Sequence, residues 1–145
     1  MLVYLDTSVF NRPFDDQSQP KVYLETQAVV LILQAIERKK IELIVSDILE
    51  YEIKRNPHPE QRVLVFAYFN YATHKQLTNV SISDRARTLQ EHGIKLYDAL
   101  HIACAEASNC DYVLTCDQRL INRCRALSIP AINPIEFILE LENAN

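Results

Sequence analysis

The chain has 145 residues, 48% of them hydrophobic and 23% charged, with a formal net charge of −4. This length fits one domain with a real buried core. The mixed charge excludes long disordered tracts, the acidic balance excludes coating of nucleic acid by bulk charge alone, and no apolar run approaches the ~20 residues of a membrane span.

Leu2 to Leu5 reads as a short buried strand ending at Asp6, with Thr7 and Ser8 as turn or capping residues. The opening segment has no basic stretch and no small-residue cleavage site, so no signal peptide is expected and a cytoplasmic location is predicted. Asn11 to Asp16 has the composition of a loop. Lys21 to Lys40 is predicted as a long helix, with Leu24, Ala28, Leu31, Ile32 and Ala35 at helical spacing. Ile41 to Val45 is a second strand, and Ser46 caps a helix that must end before Pro57. A further helix is predicted over about Glu60 to Lys75, and Val80 to Ile82 as a short strand. Ser83 is expected to cap a helix stopping at His92-Gly93, where the chain's only glycine suits the C-terminal cap. Leu96 to Ser108 reads as helix, Asp111 to Thr115 as strand, and Gln118 to Leu127 as helix. Ala131-Ile132 makes a last short strand before a helix opened by Asn133-Pro134.

Short apolar strands alternating with helices predict an α/β fold: a three-layer α/β/α domain over residues 1–145 with a short central parallel sheet. The four cysteines, Cys104, Cys110, Cys116 and Cys124, lack paired zinc-ligand spacing and are expected as free thiols.

Four acids fall where a lone carboxylate is costly. Asp6 and Asp117 end apolar runs, Asp98 interrupts the apolar stretch Leu96 to Ala105, and Glu52 lies on the apolar side of its helix. Glu50 competes with Glu52, but the helical phase sets them on nearly opposite faces, with Glu50 paired to Lys54 at i+4. Three of these acids have an ordinary alternative, a turn or helix-cap role for Asp6 and Asp117 and a helix-dipole role for Asp98. Together, two at strand ends and two on inward helix faces, they point to one site for a hard divalent cation such as Mg²⁺. His101, one turn after Asp98, is read as a satisfied core histidine, and Tyr97 as packing.

The segments Leu5-Asp6-Thr7-Ser8, Ser46 to Glu52, Tyr97-Asp98-Ala99-Leu100-His101-Ile102-Ala103 and Leu114-Thr115-Cys116-Asp117 occur in the order found in a known family. The chain resembles a PIN domain, in particular the VapC-like toxins of type II toxin–antitoxin systems. Carried over by position, the family's acidic quartet falls on Asp6, Glu52, Asp98 and Asp117, with Thr7, Ser8 and Thr115 as outer-shell or substrate-contacting hydroxyls. The resemblance implies a Mg²⁺- or Mn²⁺-dependent endoribonuclease that forms a homodimer and is silenced by a small antitoxin. An acidic site would attract a basic antitoxin segment, and the aromatic helix around Phe66 to Tyr71 offers apolar surface for a partner. Arg12 and Arg119 flank the strand ends as candidate phosphate contacts, with solvated surface arginines as the ordinary alternative.

Three rivals remain at this level. A haloacid-dehalogenase-type phosphoryl-transfer enzyme needs a second Asp two residues after the first, where this chain has Ser8. A receiver domain needs an acidic neighbour that Asp6 lacks. A catalytically silent binding module would not be expected to keep all four acids.

Overall fold

The structure is a computed structural model describing residues 1–143; Ala144 and Asn145, counted in the expected domain, lie outside the described residues. Five strands, β1 (Leu2–Leu5), β2 (Glu42–Ser46), β3 (Ala72–Gln76), β4 (Tyr112–Leu114) and β5 (Ala131–Ile132), form one sheet in the order β3-β2-β1-β4-β5. Every pairing is parallel. Because strand side chains alternate between faces, Val3 and Leu5 enter one core while Tyr4 enters the other.

The helices are α1 (Thr7–Asn11), α2 (Pro20–Glu37), α3 (Asp47–Lys54), α4 (Pro59–Phe69), α5 (Val80–Glu91), α6 (Leu96–Ala107), α7 (Gln118–Ala126) and α8 (Pro134–Asn143). Residues of α1 to α4 and α8 fill the first core, and those of α5, α6 and α7 fill the second. The chain steps from β1 to β3 with helices on the first face, then returns past β1 to β4 and β5 with helices on the other. Connections of a single hand require that change of face. The result is the expected three-layer α/β/α domain. Among the described residues no helix is long and apolar enough to cross a membrane.

Several boundaries differ from the sequence reading. The helix expected to reach Lys75 ends at Phe69, and Ala72 to Gln76 becomes β3. This strand is mostly exposed and pairs only with β2, so it carries no apolar run to betray it. Val80 to Ile82 is the first turn of α5, not a strand. Asn79, not Ser83, caps it by accepting the Ile82 N–H at 2.9 Å. Ile82, Ala86 and Leu89 then face the core at helical spacing. The expected loop Asn11 to Asp16 is largely ordered as the end of α1 and a 3-10 turn, Arg12–Phe14.

The predicted stripe of α2 has the wrong phase in part. Leu24 and Leu31 are about half exposed, at 54% and 49%, whereas Glu25 and Val29 are fully buried. This helix is apolar nearly all round, so period alone cannot choose its inner face. Likewise Phe66, Tyr68 and Phe69 pack against the first core, and the outward apolar side chains of α4 are Val63 and Leu64. All four cysteines are free thiols, as expected.

Candidate active site

The strand order reverses at β1, and the crevice beyond the carboxyl ends of β1 and β4 is where open parallel sheets place their sites. Asp6 follows β1 there and is nearly buried, at 4% exposure. Its Oδ1 accepts the Ser8 hydroxyl at 2.6 Å and the Val9 N–H at 3.2 Å, capping α1. The Ser8 oxygen in turn accepts the Cys116 N–H at 3.0 Å and lies 3.4 Å from Thr115 Oγ1. Thr115 Oγ1 accepts the Asp117 N–H at 3.2 Å. Ser8 and Thr115 therefore fasten the two strand ends together behind the acids. Burial pushes Asp6 above the usual carboxylate range, although His101, Ser8, Thr115 and the Val9 N–H favour its charged form.

Asp117 caps α7: its Oδ1 accepts the N–H groups of Arg119 at 2.9 Å and Leu120 at 3.3 Å. Glu52, on the inner side of α3, accepts the Thr7 hydroxyl at 2.7 Å and a hydrogen bond from His101 Nε2, all on Oε1. Burial alone would raise it, but the His101 bond and charge, Thr7 and Arg55 outweigh that and hold it below its ordinary value. Glu50 points the other way, to Lys54 and Lys75, as the helical phase predicts.

Asp98, in the first turn of α6, has no hydrogen-bond partner seen among the described residues. Burial first, then the charge of Asp6, raises its carboxyl to about 6; Asp117 and Glu52 push the same way, against His101. Thus four segments far apart in sequence bring their acids into one electrostatic field.

His101 is a buried histidine with both ring nitrogens engaged. Its Nδ1 is 2.5 Å from the Tyr4 hydroxyl, which lies 2.7 Å from Ser46 Oγ, itself the acceptor for the Leu49 N–H at 3.0 Å. Burial keeps Tyr4 a phenol. A closed polar chain thus runs from the cap of α3 through the second core to Glu52. The sequence reading missed this link; its only signal was that His101 shares the inner face of α6 one turn beyond Asp98. Tyr97 stacks on Tyr51 with centroids 6.0 Å apart, at the rim beside Asp98 and Glu52. Arg12 directs its guanidinium to Asp15 and to buried Glu25, not to solvent. Arg119 is exposed and lines a small cavity with Asp98 and Asp117.

The donor set fits a hard divalent cation by its chemistry. In Asp6, Asp117 and Glu52 one oxygen is fixed by the protein and the other has no hydrogen-bond partner seen among the described residues. Oriented carboxylates with one free oxygen suit oxygen-preferring ions. No three His, Cys, Asp or Glu side chains among the described residues yet stand close enough to ligate one ion.

Solved structures that share the fold include two that follow the chain over nearly its whole length. PAE2754 from Pyrobaculum aerophilum superposes with a TM-score of 0.57 at 18% identity, covering 100% of both chains. VapBC2 from Rickettsia felis, crystallised bound to a DNA fragment from their promoter, gives 0.55 at 18% identity, covering 92% of this chain and 98% of that one. No curated protein matches the sequence significantly. The PIN domain family matches residues 3–126, a span that contains all four acids. The chain belongs to the PIN domain family.

Proposed function

We propose that the protein is a divalent-metal-dependent endoribonuclease and the toxin of a type II toxin–antitoxin pair, acting in the cytoplasm. What supports the nuclease reading is that Asp6, Glu52 and Asp117, carried beyond the carboxyl ends of β1, β2 and β4, all act on the charge of Asp98. Family membership supports it, and the shared fold with a VapBC structure supports the toxin reading. Ser8 in the place of a second Asp, engaged with Asp6 itself, leaves phosphoryl transfer through an aspartyl intermediate without its usual acid.

Asp6, Asp98, Asp117 and Glu52 would hold Mg²⁺ or Mn²⁺, which when bound activates water and neutralises charge on a phosphodiester. The chain's own residues do the rest. Ser8 and the α1 amide fix Asp6, and the start of α7 fixes Asp117. Thr7 and His101 orient Glu52 so that its free oxygen can accept a proton or hold a water. Homodimer formation and a small antitoxin with a basic segment complete the reading. The exposed apolar side chains Leu24, Val30, Leu31, Val63 and Leu64 of α2 and α4 supply surface for association.

The test is an RNA cleavage assay in Mg²⁺, in Mn²⁺ and in EDTA, followed by sequencing of RNA 5′ ends after induced expression. Cleavage is expected only with metal, at defined sites. Undiminished cleavage in EDTA would overturn the metal role, and no cleavage of any cellular RNA would overturn the nuclease. Light scattering tests the dimer, and co-expression with the adjacent gene product tests the inhibitor.

A further inference from the structure

Beside the acids lies a cavity of about 100 Å³ between the α5–α6 turn and α7, lined by Gly93, Lys95, Asp98, Asp117, Arg119 and Arg123 among others. It is polar and partly open to solvent, with room for a phosphate group. Three cationic side chains share its wall with two site carboxylates, yet none of the three is ion-paired among the described residues. Gly93 shapes the wall in two ways. Its φ of +87° favours glycine, and a Cβ there would meet Arg123 Nη1 at 2.4 Å and Cζ at 2.9 Å. The absent side chain is the space in which the Arg123 guanidinium lies. The guanidinium thus rests beside the α5–α6 turn, with Nη1 3.5 Å from the His92 carbonyl.

The ordinary role for Arg123 is to complement the C-terminal dipole of α7. Arg125 occupies the same last turn and does not line the cavity, so the dipole does not explain why Arg123 joins Lys95 and Arg119. We propose that this cavity seats a backbone phosphate of the RNA strand next to the scissile one. Lys95, Arg119 and Arg123 hold that phosphate while the carboxylate site acts on its neighbour. This deepens the nuclease reading and rests on it. It makes the substrate a strand that extends past the cut on the cavity side, entering the site in one sense only. Arginine suits the task because its planar fork matches phosphate oxygens.

The test uses anisotropy of a labelled oligouridylate bound to Asp6→Asn protein in Mg²⁺, over a salt series, with Arg123→Ala, Arg123→Lys, Lys95→Ala and Arg125→Ala added singly. Loss of one phosphate contact on a single strand should lower the slope of log affinity against log salt by about 0.7. Arg123→Ala and Lys95→Ala should each show part of that drop, with roughly tenfold weaker binding for the arginine. Arg123→Lys should keep the slope, and Arg125→Ala should match the parent. In an oligouridylate, one methylphosphonate linkage at the phosphate next to the cut should weaken binding to the parent more than binding to Arg123→Ala. Equal slopes for Arg123→Ala and Arg125→Ala, with the wild type still cleaving RNA, would overturn this proposal alone. A wild type that neither binds nor cleaves RNA would overturn the nuclease reading with it.

Discussion

Glu25 and Asp98 are both carboxylates on largely apolar helices, and the fold treats them in opposite ways. Glu25 is fully buried in α2, where the Arg12 Nε lies 3.2 Å from one oxygen and the Asn133 amide donates to the other. That triad ties the turn after β1, the body of α2 and the start of α8 into one knot. Asp98 has no such partner, and the charges of Asp6, Asp117 and Glu52 all oppose its ionisation, with His101 acting against them. A carboxylate matched to a cation serves packing, whereas one crowded by like charges costs stability unless something outside the chain repays it. Partnering, more than burial, separates Glu25 from the candidate site acids.

The sharpest break of this comparison is Asp98→Asn. RNA cleavage should fall by roughly 10²–10³-fold, the scale for losing a group that holds transition-state charge, while thermal stability without metal holds or rises. Wild-type cleavage by this variant at the same Mg²⁺ would remove Asp98 from the site. The opposite signature belongs to Arg12→Ala. Stranding Glu25 should cost about 3 kcal/mol, read by urea denaturation, with cleavage by the remaining folded protein close to normal. If instead stability is unchanged and RNA binding drops, Arg12 belongs to the substrate and not to the knot.

A finer contrast lies within one helix. Glu52→Gln should reduce cleavage at least tenfold because it alters the group fixed by Thr7 and His101. Glu50→Gln should change cleavage less than twofold, since it loosens only a surface pair with Lys54 and Lys75. Reversal of that order would mean the two acids have exchanged roles.

The smallest effect is in pH. The Asp98 carboxyl is raised from 3.8 to about 6 in the folded chain, so its charged form destabilises the native state. The native state binds more protons than the unfolded one between those values. The cost is fully present above pH ~6 and disappears as pH falls toward 3.8. A rise of that size corresponds to about 3 kcal/mol, reduced to nearer ~1.5 because the carboxyl is not sealed from solvent. In EDTA, Asp98→Asn should therefore exceed the wild type in stability at pH 7 and match it near pH 4. A gap that widens toward acid would contradict the crowding of carboxylates.

Most of the architecture was readable before folding. Strands β1, β2 and β4 announce themselves as apolar runs, and Ser46, Gly93 and the Asn133-Pro134 pair mark helix ends through backbone chemistry that acts locally. What escaped depended on partners distant in the chain. Strand β3 is an edge strand recruited by β2, with alternate polar side chains that look helical or neutral. The burial of Glu25 carried no signal in the sequence, because Arg12 and Asn133, which make it tolerable, lie elsewhere in the chain. The four candidate acids could be singled out because each sits at an element end or on an inward face. The polar chain Ser46-Tyr4-His101-Glu52 could not, since Tyr4 looks like any core aromatic until the hydroxyl finds its partners across the sheet.

The clip between Ser8 and the Cys116 amide joins residues 108 positions apart. On a ribosome working at 5–20 residues per second, roughly 5 to 20 seconds separate the emergence of its two halves. For most of that interval neither Asp98 nor Asp117 has been made, and β1 lacks its neighbour β4. On the proposed reading, a chain that stops short of Asp117 is thus unarmed, and cutting ability arrives late, when the second half of the sheet docks, after α2 and α4 have already left the ribosome.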